Sequence, residues 1–521
     1  MDLNKLKSTA LKIAASINYS APQTDKKNVL LRVRNLKQYF PVKGKRNVFV
    51  RANDGISMDI YEGETFGLVG ESGCGKSTFG RTILQLYNQT YGKTLYFGHS
   101  LDSMAPYYLT YTINRLPALL DELIRQNDRT ESLAKALDVL EKQSDKTDKQ
   151  LFQAMESHAQ AKKLTEDSFL AIAQILGGLM IYDELDKVQF AYREYQGVVQ
   201  VKNKLIAKIG KLRLKIANSK NREKDEDTIL VLENQVKEQD VLIKEKFQEI
   251  EKLRKVMEGN PDFNSLEIFR DNGIDLARLK YSEMRTLRKD MQIIFQDPYS
   301  SLNPRMTVGQ LIGEGLLAQN FYTKTNEEMF DHIKKHMQDC GLADYMIHRY
   351  PHQFSGGQRQ RIGIARSLAV QPKFVVCDEP VSALDVSIQS QILNLLSELK
   401  EKDKLTYLFI SHDMSVIKYI CDRIGVMYLG NLVELARTDD MFNQPRHPYT
   451  EALLKAIPTT DADNVNTEVV LEGDIPSPIN PPSGCKFHTR CPYVSDICRE
   501  LTPELLEAAP GHFVACHHKL G

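Results

Sequence analysis

Two groups of residues in this 521-residue sequence have the types and spacing to do chemistry. The first is Gly70-Glu-Ser-Gly-Cys-Gly-Lys-Ser-Thr78, which fits G-x-x-x-x-G-K-[ST]. Glycines let a backbone curl so that its N–H groups point at phosphate oxygens. Lys76 can reach β- and γ-phosphates, and Ser77 can offer a hydroxyl to magnesium. Gly70, Ser72, Gly73, Cys74, Gly75, Lys76, Ser77 and Thr78 are therefore candidate nucleotide contacts. The second group lies in Tyr350 to Asp385. A Ser-Gly-Gly-Gln turn, Ser355, Gly356, Gly357 and Gln358, opens an arginine-rich helix. An apolar run from Phe374 to Cys377 then ends on Asp378 and Glu379, followed by Pro380 and Ser-Ala-Leu-Asp385. Paired carboxylates at the end of a buried strand suit metal and water handling at a phosphate. Gln296 and His412 each follow a strand-like run as well. A glutamine or histidine there would ordinarily be structural; its interest comes from its company at strand ends, where ligand crevices form.

The surrounding elements place these residues. Thr65–Val69 reads as a short apolar strand running into the glycine loop, with a helix from Ser77 whose positive end faces the loop. Residues 29–66 read as strand-rich, with alternating apolar and polar positions on either side of a Pro-Val-Lys-Gly turn. Phe40, or its neighbour Tyr39, could stack on a base, although an aromatic beside a strand equally suits the core. The run Met291 to Phe295 reads as a strand leading to Gln296. Residues 305–350 read as helical, with Gly341 as a helix stop, and Leu405–Ile410 as another buried strand.

Length and composition bound the rest. A chain this long exceeds one ordinary domain. Lys plus Arg and Asp plus Glu both number 68, so the net charge is zero, which argues against nucleic-acid binding. The longest apolar stretch, Phe169 to Tyr182, is short of the ~20 residues of a membrane span and reads as a buried helix. The first residues lack the apolar core of a signal peptide and read as a weakly amphipathic or disordered tail. These features predict a cytosolic chain whose membrane role, if any, comes through partners.

Between about 99 and 269 the sequence turns rich in Lys, Glu, Gln, Leu, Ala and Ile, with few breakers. Leu205, Ile209, Leu212 and Ile216 form one stripe; Leu232, Val236, Ile243, Phe247 and Ile250 form another. The charged segment 218–227 between them reads as a turn, giving an antiparallel coiled-coil hairpin. Residues 268–276 resemble the strand and turn toward which Leu95 was heading, so the insertion splits a β-hairpin at its turn. It either packs on itself or serves as a docking arm at its tip. Four cysteines, Cys485, Cys491, Cys498 and Cys516, crowd the last segment, a pattern that in a reducing compartment favours metal over disulfides. Their C-x5-C-x6-C-x17-C spacing is poor for a zinc finger. Four thiolates suit a [4Fe–4S] cluster. Zn2+, helped by His488, His512, His517 or His518, and plain thiols remain open.

The order of the phosphate loop, Gln296, FSGGQ at 354–358, FVVCDE at 374–379, SALD at 382–385 and His412 resembles that of ABC-type ATPases. These are the Walker A, Q-loop, signature, Walker B, D-loop and H-switch motifs of that family. QDPYSSLNPRMTVG, YPHQFSGGQRQRIGIARSLA, HDMSVIKYICDRIGVMYLG, HPYTEALLKAIP and the tail LEGDIPSPINPPSGCKFHTRCP are similar to ATP-binding subunits of oligopeptide and dipeptide importers, the F-type of the pair. The resemblance covers about 29–98 and 270–521. It implies an α/β P-loop ABC ATPase head: a RecA-like core, an antiparallel β subdomain and an α-helical signature subdomain. To these the sequence adds the inserted coiled-coil hairpin and a small Cys-rich C-terminal segment. The expected divisions are an N-terminal tail at 1–28, the ATPase at 29–98 and 270–445, the insertion at 99–269 and a transporter-type C-terminal region at 446–521.

The resemblance also implies roles. ATP and Mg2+ are the ligands. Phe40 stacks on adenine; Asp378, Ser77 and Gln296 attend magnesium; Glu379 is general base; His412 holds the γ-phosphate and the water in line. Ser355, Gly356, Gly357, Gln358 and Asp385 act at the interface with a second head. The tail's likeness to iron–sulfur binders favours the cluster at the four cysteines. Phe354 and Val381 depart from the family's usual leucine and threonine, but neither is a phosphate ligand. The implied partners are a D-type ATPase in a heterodimer, two transmembrane permeases and an extracellular peptide-binding protein, with no nucleic acid. The implied location is the cytoplasmic face of the plasma membrane, peripherally bound. A DNA-repair or chromosome ATPase with a coiled coil is the alternative. Against it stand a largely contiguous head, zero net charge and the absence of any cysteine between Cys74 and Cys340. A translation-associated ABC protein carries two heads, whereas one phosphate loop is present here.

Overall fold

The structure is a computed structural model describing residues 2–17, 28–45, 48–143, 148–216, 222–457 and 473–520. It divides into two compact units, one of residues 1–20 and 99–274, the other of 21–98 and 275–521. The strands in chain order are β1 (Val29–Pro41), β2 (Phe49–Tyr61), β3 (Thr65–Val69), β4 (Tyr91–Tyr96), β5 (Ile274–Asp275) and β6 (Met291–Ile294). They continue with β7 (Phe374–Asp378), β8 (Thr406–Ser411), β9 (Arg423–Tyr428), β10 (Asn431–Arg437), β11 (Leu506–Ala509) and β12 (His512–Val514).

In the larger unit β2-β1-β4-β5 form one sheet and β11-β12-β10-β9-β3-β8-β7-β6 another. The second sheet is parallel from β9 through β6 and antiparallel beyond, where β9, β10, β12 and β11 meet. Its central strands β3, β7 and β8 are buried along their whole length. That explains their unbroken apolar runs, since strands covered on both faces have no polar side to present. Register fixes the edge that matters. Val69 lies opposite Ser411, and Asp378 opposite Ile410, so three chain segments leave the sheet side by side. A buried pair, Arg423 to Glu64 at 3.2 Å, lies at the opposite end of the strands. Burial raises the Glu64 pKa, against the pull of the guanidinium.

The helical region before the signature turn is as expected: Val308–Ala318 and Glu327–Asp339, with Gly341 at φ +70° ending the second. Helix Gly356–Leu368 starts at Ser355, whose hydroxyl accepts from the Gln358 N–H while the Gln358 side chain accepts from the Ser355 N–H. This reciprocal cap explains the Ser-x-x-Gln spacing locally, before any role in binding.

The smaller unit is helical. Residues 268–276, expected to be a strand and turn, contribute only the two residues of β5; helix Pro261–Glu267 ends just before. The chain leaves the β2-β1-β4-β5 sheet after β4 and re-enters it at β5, the neighbouring strand. Helices Leu185–Ile216 and Arg222–Met257 run antiparallel, shown by Lys202–Asp240 at 2.5 Å, Arg213–Glu233 at 2.6 Å and Tyr195 against Phe247 at 6.0 Å. Of the two stripes, Ile209, Leu232 and Ile250 are buried, while Phe247 is 40% exposed, as two helices can cover only one side of each other. Of the charged segment 218–227 expected as a turn, residues 222–227 instead open the second helix, and residues 218–221 lie outside the described residues.

The N-terminal tail reads differently in the structure. Leu3–Ser16 is a helix capped by the Asp2 carboxylate, and its buried Leu6, Thr9, Ala10 and Ile13 recur at helical spacing. Lys5–Asp128, Lys7–Asp262 and Lys12–Glu131 fasten it to the inserted helices. Its apolar stripe is weak in sequence, and its partners lie well over a hundred residues away along the chain. The segment Gln153–Ile181 is long and apolar enough to cross a membrane, yet 72% of its apolar 18-residue window is buried. Gln174 on it donates to the Gly273 carbonyl, and Tyr192 to that of Ile175, as expected of a core helix.

The C-terminal cysteines require a correction. Among the described residues no three His, Cys, Asp or Glu side chains are grouped to hold a metal ion. The expected iron–sulfur cluster, and its zinc alternative, at Cys485, Cys491, Cys498 and Cys516 are therefore withdrawn. The thiols are free and have other uses. Cys498 Sγ lies 3.5 Å from the Ser495 hydroxyl, and Cys516 Sγ donates to the His518 carbonyl at 3.2 Å. Burial pushes the Cys485, Cys491 and Cys516 thiols up, Cys516 to about 11, which favours protonated sulfur over thiolate. The crowding seen in sequence is packing: Cys485 and Cys491 pack against the apolar core that includes Phe487.

Candidate nucleotide site

A cleft of about 640 Å³ opens where β3, β7 and β8 end. It is lined by Ser72, Gly73, Cys74, Gly75, Lys76, Ser77 and Thr78 on one side and by Gln296, Glu379 and His412 on another. Phe40, Val50, Arg51 and Ala52 form a third wall, with Leu429, Gly430 and Pro478 completing it.

The phosphate loop is shaped by glycine. Gly75 has φ +104°, and a Cβ there would lie 2.1 Å from the Ala52 carbonyl oxygen. The buried Asn53 donates to the Gly75 carbonyl at 3.0 Å, holding the turn from below. Lys76 donates to the Gly70 and Glu71 carbonyls at 2.7 and 3.0 Å. Helix Lys76–Ile83 follows directly, so the loop N–H groups and the helix start converge on the cleft.

Three groups meet across the cleft. Gln296 Nε2 donates to Glu379 Oε2 at 2.9 Å, and His412 Nδ1 lies 3.3 Å from the same oxygen. Glu379 occupies the left-handed region at φ +48°, which an ordinary L-residue adopts at a cost. Its N–H donates to the Ile410 carbonyl and the Ser382 hydroxyl to its own carbonyl, so the turn after β7 over-determines that conformation. The carboxylate is thereby aimed at the cleft rather than along the strand.

Asp378 is 1% exposed and takes Arg81 on Oδ2 at 3.2 Å, while Oδ1 is buried with no hydrogen-bond partner. A buried carboxylate oxygen left without a donor costs free energy unless a cation completes it. This donor set, with the Ser77 hydroxyl on the cleft wall, fits a hard divalent cation such as magnesium.

Not every expected residue joins this cluster. Phe40 lines the cleft and stands edge-on to Tyr87 at 5.3 Å. Tyr39 is engaged elsewhere, its hydroxyl donating to Asp54 at 2.5 Å. Ser355, Gly356, Gly357, Gln358 and Asp385 do not line the cleft. Ser355 and Asp385 stand at the starts of separate helices, and a Cβ on Gly357 would meet the Ile388 side chain at 2.6 Å.

Sequence reasoning missed several contributors. Arg81 reaches Asp378 from the helix after the loop, and its spacing of one helical turn from Ser77 was the available signal. Asn53, Ala52 and Gly430 carried no signal, because a backbone carbonyl or a loop turn can be any residue. Pro478 sits in the proline-rich run of the C-terminal region, and its carbonyl accepts from the Arg51 N–H at 3.0 Å at the cleft wall.

Comparison with known proteins gives two family matches: "ABC transporter" over residues 53–176 and 210–382, and "Oligopeptide/dipeptide transporter, C-terminal region" over 433–498. A putative peptide import ATP-binding protein of Brucella ovis is 54% identical over 47% of this chain and 77% of its own length. The oligopeptide transport ATP-binding protein AppF of Bacillus subtilis is 52% identical over 47% of this chain and 75% of its own. Among solved structures, cbiO1 from Clostridium perfringens, part of an ABC transporter complex, is 16% identical over 80% of this chain and 92% of that one, with a TM-score of 0.39.

Proposed function

The chain belongs to the ABC transporter family, and from that premise we infer that it is the ATP-hydrolysing subunit of a peptide importer. The observation that carries this is the meeting of Gln296, Glu379 and His412 on the cleft that Lys76 and the phosphate loop also line. The transport half rests on the names of the relatives, which are peptide and oligopeptide import proteins. Nothing among them favours the DNA-repair alternative.

In this reading the loop N–H groups and Lys76 bind the phosphates, and Phe40 stacks on adenine. Asp378 and Ser77 hold magnesium, which supplies charge neutralisation at the phosphates when bound, and Gln296 stands beside them. Glu379 takes the proton of the attacking water, and His412, 3.3 Å from the Glu379 carboxylate, keeps that water and the γ-phosphate in line. Phosphoryl transfer asks little covalent chemistry of a protein; it asks for position and compensating charge.

Ser355 to Gln358 and Asp385 lie outside the cleft, which supports their acting on nucleotide held by a second ATPase head. We take that head to be a related D-type subunit. Two permeases would provide the pore and an extracellular binding protein the peptide, with this chain at the cytoplasmic face of the membrane. The antiparallel pair Leu185–Ile216 and Arg222–Met257 is read as the coiled-coil hairpin of the insertion, and residues 446–521 as the transporter-type C-terminal region.

Co-purification of the tagged chain tests this. Two permeases and a second ATPase should accompany it, and Lys76→Ala should abolish ATP-dependent peptide uptake by the assembly. Uptake unaffected by Lys76→Ala, or a complex holding DNA instead of permeases, would overturn the reading.

A further inference from the structure

Glu71 is an awkward residue for a phosphate loop. It follows Gly70 directly, placing a carboxylate on the loop that must receive a polyanion. Glu71 does not itself line the cleft, but a like charge on the loop, in partly buried surroundings, still repels a bound phosphate more strongly than it would in bulk water. The structure shows what offsets it. Arg490, from the C-terminal segment, grips Glu71 with two hydrogen bonds, Nη1 to Oε2 at 2.8 Å and Nη2 to Oε1 at 3.2 Å. The Arg490 side chain is 5% exposed, so the pair is built in and not a passing surface contact. Such a fork on a carboxylate fixes both charge and direction.

The same short turn grips the loop's surroundings at a second point. Lys486 donates to Asp54 at 3.2 Å and to the Leu429 carbonyl at 3.1 Å. Leu429 lines the cleft, and its neighbour Gly430 donates to the Cys74 carbonyl at 2.9 Å. Glu71 itself is a junction. Its N–H donates to the Tyr449 hydroxyl at 2.9 Å, and its carbonyl accepts from Lys76 at 3.0 Å. The turn cannot drift, because Phe487, 1% exposed, is wedged against Tyr428 and Tyr449 with ring centroids 5.2 and 5.3 Å away.

We propose that Arg490 is a positioning residue for ATP: it cancels the Glu71 charge and holds the phosphate loop in shape, so that the C-terminal segment sets nucleotide affinity in cis. This rests on the ATP reading of the cleft. A purely structural ion pair would predict lost stability without any dependence on ligand charge. The proposal instead predicts a defect that follows the charge on the ligand and disappears with the charge on Glu71.

The test measures binding of ATP, ADP and adenosine to the full chain, with thermal melting to establish folding. Arg490→Ala should weaken ATP binding on the order of tenfold, ADP less and adenosine not at all, with the loss shrinking as salt rises. KM for ATP should rise with little change in kcat. Arg490→Lys, which keeps the charge and loses the fork, should fall between. Arg490→Ala combined with Glu71→Gln should return ATP binding to near the wild-type value. Glu71→Gln alone, which keeps Arg490, should bind ATP at least as tightly as wild type, and it serves if Arg490→Ala does not fold. Wild-type affinity in a folded Arg490→Ala, an equal loss for adenosine, or no rescue by Glu71→Gln would overturn the proposal. Wild-type chain that binds no nucleotide would overturn the ATP reading instead.

Discussion

Gly75→Ala should disable the phosphate loop by moving it, without touching any side chain that contacts ligand. Gly75 has φ +104°, and an added Cβ would stand 2.1 Å from the Ala52 carbonyl oxygen in β2. A carbon needs more than about 3 Å from a carbonyl oxygen, so the loop or β2 must yield by about 1 Å. Left-handed backbone costs an alanine about 1–2 kcal/mol beyond that. The Asn53 bond to the Gly75 carbonyl opposes the shift. A misplacement of about 1 Å at a reacting centre can lower turnover about a hundredfold. Steady-state ATPase assays, with thermal melting to show that the variant is folded, measure this. A folded Gly75→Ala with wild-type KM and kcat would refute the argument that close backbone approach sets this loop.

Two further outcomes follow from particular contacts. His447 is buried, and burial lowers its pKa from 6.5 to about 4 against the pull of Glu434. The unfolded chain therefore takes up a proton that the folded one refuses, and stability is lost as pH falls from about 6.5 toward 4, by about 3 kcal/mol. His447→Gln should make the melting temperature less dependent on pH across that window, while His336, also lowered to about 4 by burial, keeps its own part; an unchanged profile would remove His447 as a cause. Excising residues 99–270 alone should yield aggregation-prone protein, since Leu6, Ala10 and Ile13 of the first helix lose their cover. Removing residues 1–20 as well and joining β4 to β5 by a short turn should restore soluble chain that binds ATP; failure to bind would show the helical unit to be part of the nucleotide fold.

The legible parts of this chain are those whose chemistry is local. The loop from Gly70 to Thr78, the buried run Phe374 to Asp378 and the strand before His412 announce themselves because each demands residue types at fixed spacing. Strand ends were likewise close: Thr65–Val69 is as expected, and β7 and β8 differ from expectation by one residue. What sequence hid is non-local. The first helix finds its partners beyond residue 115, and a weakly apolar stripe does not say where it packs. Pro478 reaches the cleft wall, and Arg490 the phosphate loop, from a tail whose cysteines suggested a metal. The cysteine error has a physical origin too. Spacing along the chain shows that thiols are near one another, but not whether they converge on one point or, as here, turn to separate carbonyl and hydroxyl partners.

The central claim is that Glu379, aimed by its left-handed backbone and shared by Gln296 and His412, removes the proton from the water that attacks ATP. Glu379→Gln keeps the shape and the capacity to bond Gln296 and His412 while removing the base. In single-turnover assays of the assembled transporter it should bind Mg-ATP with near wild-type affinity and retain it unhydrolysed, with turnover lowered by at least about a hundredfold. Hydrolysis at the wild-type rate by Glu379→Gln would contradict the account.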